Sequence, residues 1–294
     1  MPDTVLELDG AVVQHGPASD RVYVMQLDAD PVAPVLDRVD ALALKEGYGK
    51  VVVKARASDF GVFALRGYRA EAVVPRFYGP EETGVFMGRF LDRTRITDPR
   101  EQEVSEVIRT ALDAGLEERV DGAVPPRDGA PPSLVAGVRL REAGPADAEA
   151  LADCYASVFE SYPFPIDEAA HLRREMSRGT RFFLATEDGA LVAASSMEPG
   201  GAPGVVEMTD FATLPSQRGR GLATGLLALM DHHARADGLR VAYTIARAAS
   251  FGMNITFARR GYRYGGTLVN NTQIGGTIES MNVWYKLLTE PERT

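Results

Sequence analysis

Residues Phe63 to Arg69 read FALRGYR and residues Phe257 to Arg263 read FARRGYR, one heptapeptide with a single substitution. The agreement runs past the heptad. Met87 in VFMGRFL and Met281 in SMNVWYKLL stand the same distance downstream, and VVVKARAS (Val51 to Ser58) echoes VAYTIARAAS (Val241 to Ser250) upstream. Recurring in one order, these elements mark a repeated supersecondary unit, which constrains the chain to two related halves. With 294 residues and 45% hydrophobic content, each half has material for its own core.

The stretch between the copies reads as a connector. DPREQEVSEVIRTALDAGL (Asp98 to Leu116) has an early Pro, acids in its first turn and Gly115 near its end, the pattern of a polar helix. DGAVPPRDGAPPS follows, rich in Pro and Gly, and reads as a linker. The expected organisation is a front domain over 1–95, a connector over 96–134 and a back domain over 135–294.

Composition narrows the function. No apolar run approaches the roughly 20 residues of a membrane span, and MPDTVLELDG is acidic rather than a basic signal sequence, so a cytoplasmic protein is expected. A net charge of −9 argues against nucleic acid, whose phosphates need a basic face, and suits a cationic small substrate. Cys154, the lone cysteine, falls in the apolar stripe of ADAEALADCYASVF and reads as a buried thiol. His15, His171, His232 and His233 show no metal-ligand spacing, and no metal is expected.

The strongest chemical signal lies in the second copy. VVEMTDFATLP (Val205 to Pro215) is a β-type run, and SQRGRGLATGLLALMDHHARADG continues it with a Gly-rich turn opening a helix. Gly219 and Gly221 let the backbone approach a ligand closely, N–H groups point into the turn, and the helix dipole adds about half a positive charge. Arg218 and Arg220 read as mobile cations beside it. The stretch lacks the GK[ST] of nucleotide-triphosphate loops and the three glycines of dinucleotide folds.

The loop Arg218-Gly219-Arg220-Gly221-Leu222-Ala223 resembles the pyrophosphate loop of the GCN5-related N-acetyltransferases, and Val138 to Leu288 resembles their whole element order. The fold this implies is α/β with a mixed sheet (α+β), a GNAT fold in the back domain. Aligning the repeat puts Leu27-Asp28-Ala29-Asp30-Pro31-Val32 at the loop position, with two aspartates and no glycine. Asp30-Pro31 suits a helix start, Asp at the N-cap and Pro at N1. The front domain therefore reads as a degenerate acetyltransferase-like unit that cannot hold the cofactor. Its expected work is packing, homodimer formation or shaping of the acceptor site.

A closer resemblance covers nearly the whole chain. YPFPI, EMTDFATLP, RGRGLA and NNTQIGGTIESMNVWYK, with HGPASDRVYVMQL and PRFYGPEE in front, are similar to the β-lysine N-acetyltransferases. The resemblance implies acetyl-CoA as cofactor and β-lysine, supplied by lysine 2,3-aminomutase, as acceptor. The product would be Nε-acetyl-β-lysine, a compatible solute.

Residue roles follow from this resemblance. Phe211, Ala212 and Thr213 would offer backbone groups to the pantetheine arm and a donor to the thioester oxygen, and Arg218 to Thr224, including Leu222 and Ala223, would seat the pyrophosphate. Holding an amine of pKa about 10.4 neutral at pH 7 costs roughly 4.6 kcal/mol, so a base is needed. Glu207, five residues before Ala212, is the first candidate for it. Alternation along the strand puts Glu207, Thr209 and Phe211 on one face and Met208, Asp210 and Ala212 on the other, with Asp210 a candidate for substrate binding or for a structural hydrogen bond. The position where many relatives carry a thiolate-protonating tyrosine is Phe257, leaving Tyr243, Tyr264 or unassisted departure. Asn254 is a candidate cofactor contact or a cap, and Tyr162, Phe164, Asn270, Asn271 and Glu279 are candidates for the acceptor wall. Two alternatives stay open: an acetyltransferase for ornithine, diaminobutyrate or a polyamine, and a non-catalytic acetyl-CoA sensor.

Overall fold

A computed structural model describes residues 3–120, 137–160 and 162–288. The front half runs β1 (Thr4–Leu8), β2 (Ala11–Gly16), β3 (Arg21–Leu27), α1 (Ala33–Glu46), β4 (Lys50–Arg56), α2 (Phe60–Leu65), β5 (Arg69–Val74) and β6 (Gly84–Phe90). Helix α3 (Glu101–Val120) follows. The back half runs β7 (Val138–Glu142), α4 (Ala148–Val158), α5 (Ala169–Ser177), β8 (Arg181–Glu187), β9 (Ala190–Pro199) and β10 (Val205–Thr213). It closes with α6 (Leu222–Ala236), β11 (Val241–Arg247), α7 (Phe251–Arg259), β12 (Arg263–Ile274) and β13 (Thr277–Leu287). The proposed linker falls outside the described residues. No helix among them is long and apolar enough to cross a membrane.

The strands form one sheet in the order β1-β2-β3-β4-β6-β5-β12-β13-β11-β10-β9-β8-β7. Read outward from its middle, each half repeats the other: β5-β6-β4-β3-β2-β1 against β12-β13-β11-β10-β9-β8. The heptad recurs because it builds the same corner twice. Phe63 and Phe257 are buried, and left-handed Gly67 and Gly261 (φ +80° and +81°) end their helical segments. Tyr68 and Tyr262 then pack edge-on to those Phe rings at centroid distances of 5.4 and 5.1 Å. Each tyrosine donates to an aspartate of the preceding long helix, Tyr68 to Asp40 at 2.7 Å and Tyr262 to Asp231 at 2.9 Å.

Two expectations need correction. Helix α1 starts at Ala33, not at Asp30-Pro31, because Pro34 rather than Pro31 supplies the first-turn proline and no side chain caps the end. Helix α3 runs past Gly115 and packs against α7, where a Cβ on Gly115 would sit 3.0 Å from the Ala258 carbonyl oxygen. Gly115 is there for close helix approach, not for a stop.

The halves meet at β5 and β12, whose one paired position is Ala72 with Gly266. Buried cations of the front half lock onto the back half beside it: Arg21 donates to the Asn271 carbonyl (2.9 Å) and Thr272 Oγ1 (2.7 Å), Arg95 to the Asn270 carbonyl (2.6 Å), and Lys50 to the Val269 carbonyl (2.6 Å). Gly266 has φ +143°, and a Cβ there would lie 2.2 Å from the Glu71 carbonyl oxygen. Gly266→Ala is therefore expected to destabilise the protein by about 1–3 kcal/mol or more, read as a lower urea midpoint at unchanged slope. The sheet curls so that β4 faces β11 across a concave interior, although four strands separate them in the sheet order.

Candidate active site

The turn between β10 and α6 has the geometry of an anion cradle. Gly219 and Gly221 take φ +79° and +75°, and a Cβ at either would meet nothing within 4 Å. Gly221 is the N-cap residue of α6, so the first-turn N–H groups of Leu222, Ala223 and Thr224 have no intrahelical partner. These residues, with Arg218 and Thr213, line a groove of about 560 Å³. The open backbone, the helix N-terminus and exposed Arg218 suit a pyrophosphate. Arg220 does not act as a mobile cation, because Glu187 holds it through two bonds of 2.7 and 2.8 Å and Gln217 accepts from it as well.

The groove leads into a cleft between two strands. Strand β10 pairs with β11 only over Val205–Glu207, opposite Val241–Tyr243, so beyond Glu207 that edge of β10 has no strand partner among the described residues. Unpaired backbone groups there can receive an extended amide-bearing chain such as pantetheine. The cleft, about 100 Å³, is lined by Phe211, Thr244, Ser250, Met253 and Phe257 and shares several of these with the groove. Ala212 is buried against α4 and its neighbours, and contributes backbone only.

A third cavity, of about 180 Å³, opens at the inner end of the cleft. Tyr162, Thr209 and Asp210 line both, and mark the junction. The alternation expected along β10 fails here, since a bulge between Thr209 and Ala212 and a left-handed Asp210 (φ +53°) turn its carboxylate into the cavity with Glu207. Tyr162 donates to Asp210 at 2.6 Å, and Ser196 donates to its other oxygen at 2.6 Å. Glu207 accepts from Tyr243 at 2.5 Å and lies 3.8 Å from the Lys54 ammonium.

Glu198, paired with Glu207 across β9 and β10, also lines the cavity. Burial, with repulsion from Asp210 and Glu207, pushes its carboxyl well above the usual carboxylate range. Burial likewise pushes Tyr162 well above 10, with Asp210 adding to it, and lowers Lys54 against the opposing pull of Glu207 and Glu198.

Of the expected acceptor wall, Tyr162 and Phe164 do line this cavity. Asn270 and Asn271 do not; their backbone carbonyls hold Arg95 and Arg21 in the seam between the halves. Glu279 pairs with Arg247 at 2.7 and 2.9 Å and thereby orients a cation that lines the cofactor groove. Asn254 donates to the Arg247 and Ser250 carbonyls and accepts from Asn282 and Trp284, which leaves its amide no capacity for a ligand. Tyr264 bonds Thr267, and Tyr243 is held between Lys54 and Glu207; neither lines the cleft, whereas the Tyr162 ring does. Sequence reasoning missed Glu198, Lys54, Tyr23 and Arg247. A lysine inside the apolar strand VVVKAR was the available signal for Lys54.

The model of the acetyltransferase (GNAT) family matches residues 148–262. A β-lysine N(6)-acetyltransferase of Methanococcus maripaludis is 34% identical over 97% of this chain and 99% of its own length. The N-acetyltransferase YodP of Bacillus subtilis is 30% identical over 95% of this chain and 96% of its own. A second β-lysine N(6)-acetyltransferase, from Methanosarcina mazei, is 28% identical over 84% of this chain and 94% of its own. With the loop, the cleft and the cavity arranged as described, the chain belongs to the β-lysine N(6)-acetyltransferase family of GNAT enzymes and is an acetyl-CoA-dependent N-acetyltransferase.

Proposed function

We propose that the protein transfers an acetyl group from acetyl-CoA to the ε-amine of β-lysine. The observation that carries this reading is the cavity at the inner end of the cofactor cleft, which presents Glu198, Glu207 and Asp210 to a cationic acceptor. The likeness to two β-lysine N(6)-acetyltransferases over most of the chain supports the acceptor's identity. Bound acetyl-CoA supplies an activated acyl carbon, and the chain's residues do the rest. The loop from Arg218 to Thr224 seats the pyrophosphate, and the unpaired edge of β10 at Phe211 to Thr213 aligns the arm and offers an N–H to the thioester oxygen.

Asp210 and Tyr162 hold the amine at the junction, and Glu207, which lines the cavity but not the cleft, withdraws its proton through water. The front domain (1–95) carries no cofactor loop and walls the acceptor cavity through Tyr23, Gln26 and Lys54. In the cytoplasm, an aminomutase acting on lysine would supply the acceptor, and the neutralised product would serve as a compatible solute.

The test is thiol release from acetyl-CoA by purified protein with β-lysine, lysine, ornithine, diaminobutyrate and polyamines. The expected result is a kcat/KM for β-lysine at least about tenfold above every other amine, the range that one or two charged contacts provide. A higher value for another diamine would reassign the acceptor. Acetyl-CoA binding with no turnover on any amine would favour a sensor.

A further inference from the structure

The acceptor cavity contains three carboxylates and, among the described residues lining it, one cation, Lys54. Lys54 belongs to β4, in the half without a cofactor loop, and reaches across the concave interior to the back half. Its ammonium donates to the Tyr243 hydroxyl at 2.6 Å and to the Gly200 carbonyl at 3.4 Å. Those two bonds use two of its three N–H donors. The Glu207 carboxylate lies 3.8 Å away, beyond hydrogen-bond reach, and Tyr243 bridges the two. A lysine present only to neutralise Glu207 would bond it directly, at 2.7–2.9 Å.

Position and charge agree on what the remaining donor meets. Lys54 and Glu207 line the cavity but not the cleft, so they mark the end away from the cofactor, while Asp210 and Tyr162 mark the end beside it. Glu207 and Asp210 are three residues apart on one strand, roughly 10 Å if fully extended and less across the bulge. A diamino acid whose terminal amine reacts at the cleft places its carboxylate toward the far end. Its two ammonium groups have three carboxyl groups to choose from, and for its carboxylate Lys54 is the one cation among the described lining residues, with Tyr23, whose ring centroid lies 5.5 Å from the ammonium, beside it.

We propose that Lys54 receives the acceptor's carboxylate, so that the half lacking a cofactor loop makes the enzyme select a diamino acid over a plain diamine. The proposal rests on the β-lysine reading above. Lys54 is then a substrate-binding residue, and the degenerate half is kept for acceptor recognition as well as for packing.

The experiment compares β-lysine with its methyl ester, which keeps both amines and removes the carboxylate charge. Wild type, Lys54→Met and Lys54→Gln are assayed with both, the Gln variant retaining donors toward Tyr243 and Gly200. Wild type is expected to favour β-lysine by about 10- to 100-fold in kcat/KM, the range for a hydrogen bond to a charged group. Either variant should bring the two acceptors near parity, mainly through a higher KM for β-lysine. Because the comparison is a ratio within one protein, a general loss of stability cancels.

A variant that keeps the wild-type preference would overturn the proposal. Wild type that acetylates both acceptors equally well overturns it too, whatever the variants do, and leaves the β-lysine reading standing. Wild type that acetylates neither, while turning over another amine, removes the β-lysine reading and this proposal with it.

Discussion

Glu207→Gln is expected to bind acetyl-CoA as wild type does and to lose roughly 10²- to 10⁴-fold in kcat, the usual contribution of a positioned general base. The amide keeps the shape of the side chain, and its oxygen can still accept from Tyr243, which now donates at 2.5 Å. What disappears is basicity. With no base, the rate follows the fraction of acceptor that arrives neutral, which rises tenfold per pH unit below an amine pKa of about 10.4. The variant should therefore recover with a slope near one in log kcat as pH climbs from 7 to 9.

The wild-type series is the control for Lys54, whose ammonium burial pushes toward the neutral form and which would add a fall in acceptor affinity as pH rises. Wild-type kcat at pH 7 in the variant would exclude Glu207 as the base and move attention to Glu198. Glu198 pairs with Glu207 across the strands, and burial, with repulsion from Asp210 and Glu207, raises its own carboxyl well above the usual carboxylate range. An unchanged kcat with a raised KM would make Glu207 an amine anchor, since uniform binding leaves the chemical step alone.

The two ends of this site differed in how far they could be read from the chain. The cofactor end was legible because it is local. Strand, glycine turn and helix are consecutive, and each glycine's role follows from its own φ. The repeated corner was legible for the same reason, since Phe, Gly and Tyr lie within six residues of one another.

The acceptor end is assembled at long range. Lys54 and Tyr23 meet Glu198 and Glu207 only because a sheet of thirteen strands curls on itself, and strand periodicity carries no information about that curvature. Asp210 was assigned to the wrong face because alternation assumes a regular strand, and a single bulge reverses it. Asn270 and Asn271 looked like substrate contacts because polar residues in a closing strand invite that reading. Their carbonyls instead satisfy Arg95 and Arg21, arginines buried in the seam and lying 175 and 250 residues away along the chain.

Gly221→Asp is expected to remove acetyl-CoA binding without unfolding the protein, and the two effects can be separated by argument as well as by assay. Gly221 sits at φ +75° as the N-cap residue of α6. A side chain in that conformation costs about 1–2 kcal/mol, less for Asp and Asn, which tolerate it best. A carboxylate at a helix N-terminus interacts favourably with the dipole, by roughly 0.3–1 kcal/mol, so the helix itself should survive. The same carboxylate points into space that is open in the free protein and that lines the cofactor groove. One added negative charge about 6 Å from a pyrophosphate bearing two raises the energy by about 1.5 kcal/mol in water and about 5 kcal/mol at a surface dielectric near 20, or roughly 10- to 10⁴-fold in Kd.

Gly221→Asn has nearly the same volume and the same tolerance of positive φ but no charge. It should weaken binding far less, and the gap between the two variants measures the electrostatic share. Calorimetry of wild type should give one acetyl-CoA per chain, because Asp28 and Asp30 stand where the front half would need its glycine turn. Gly221→Asp should give none. Residual binding at half the wild-type stoichiometry or more in that variant would locate a second site in the front half and overturn its reading as a unit without cofactor.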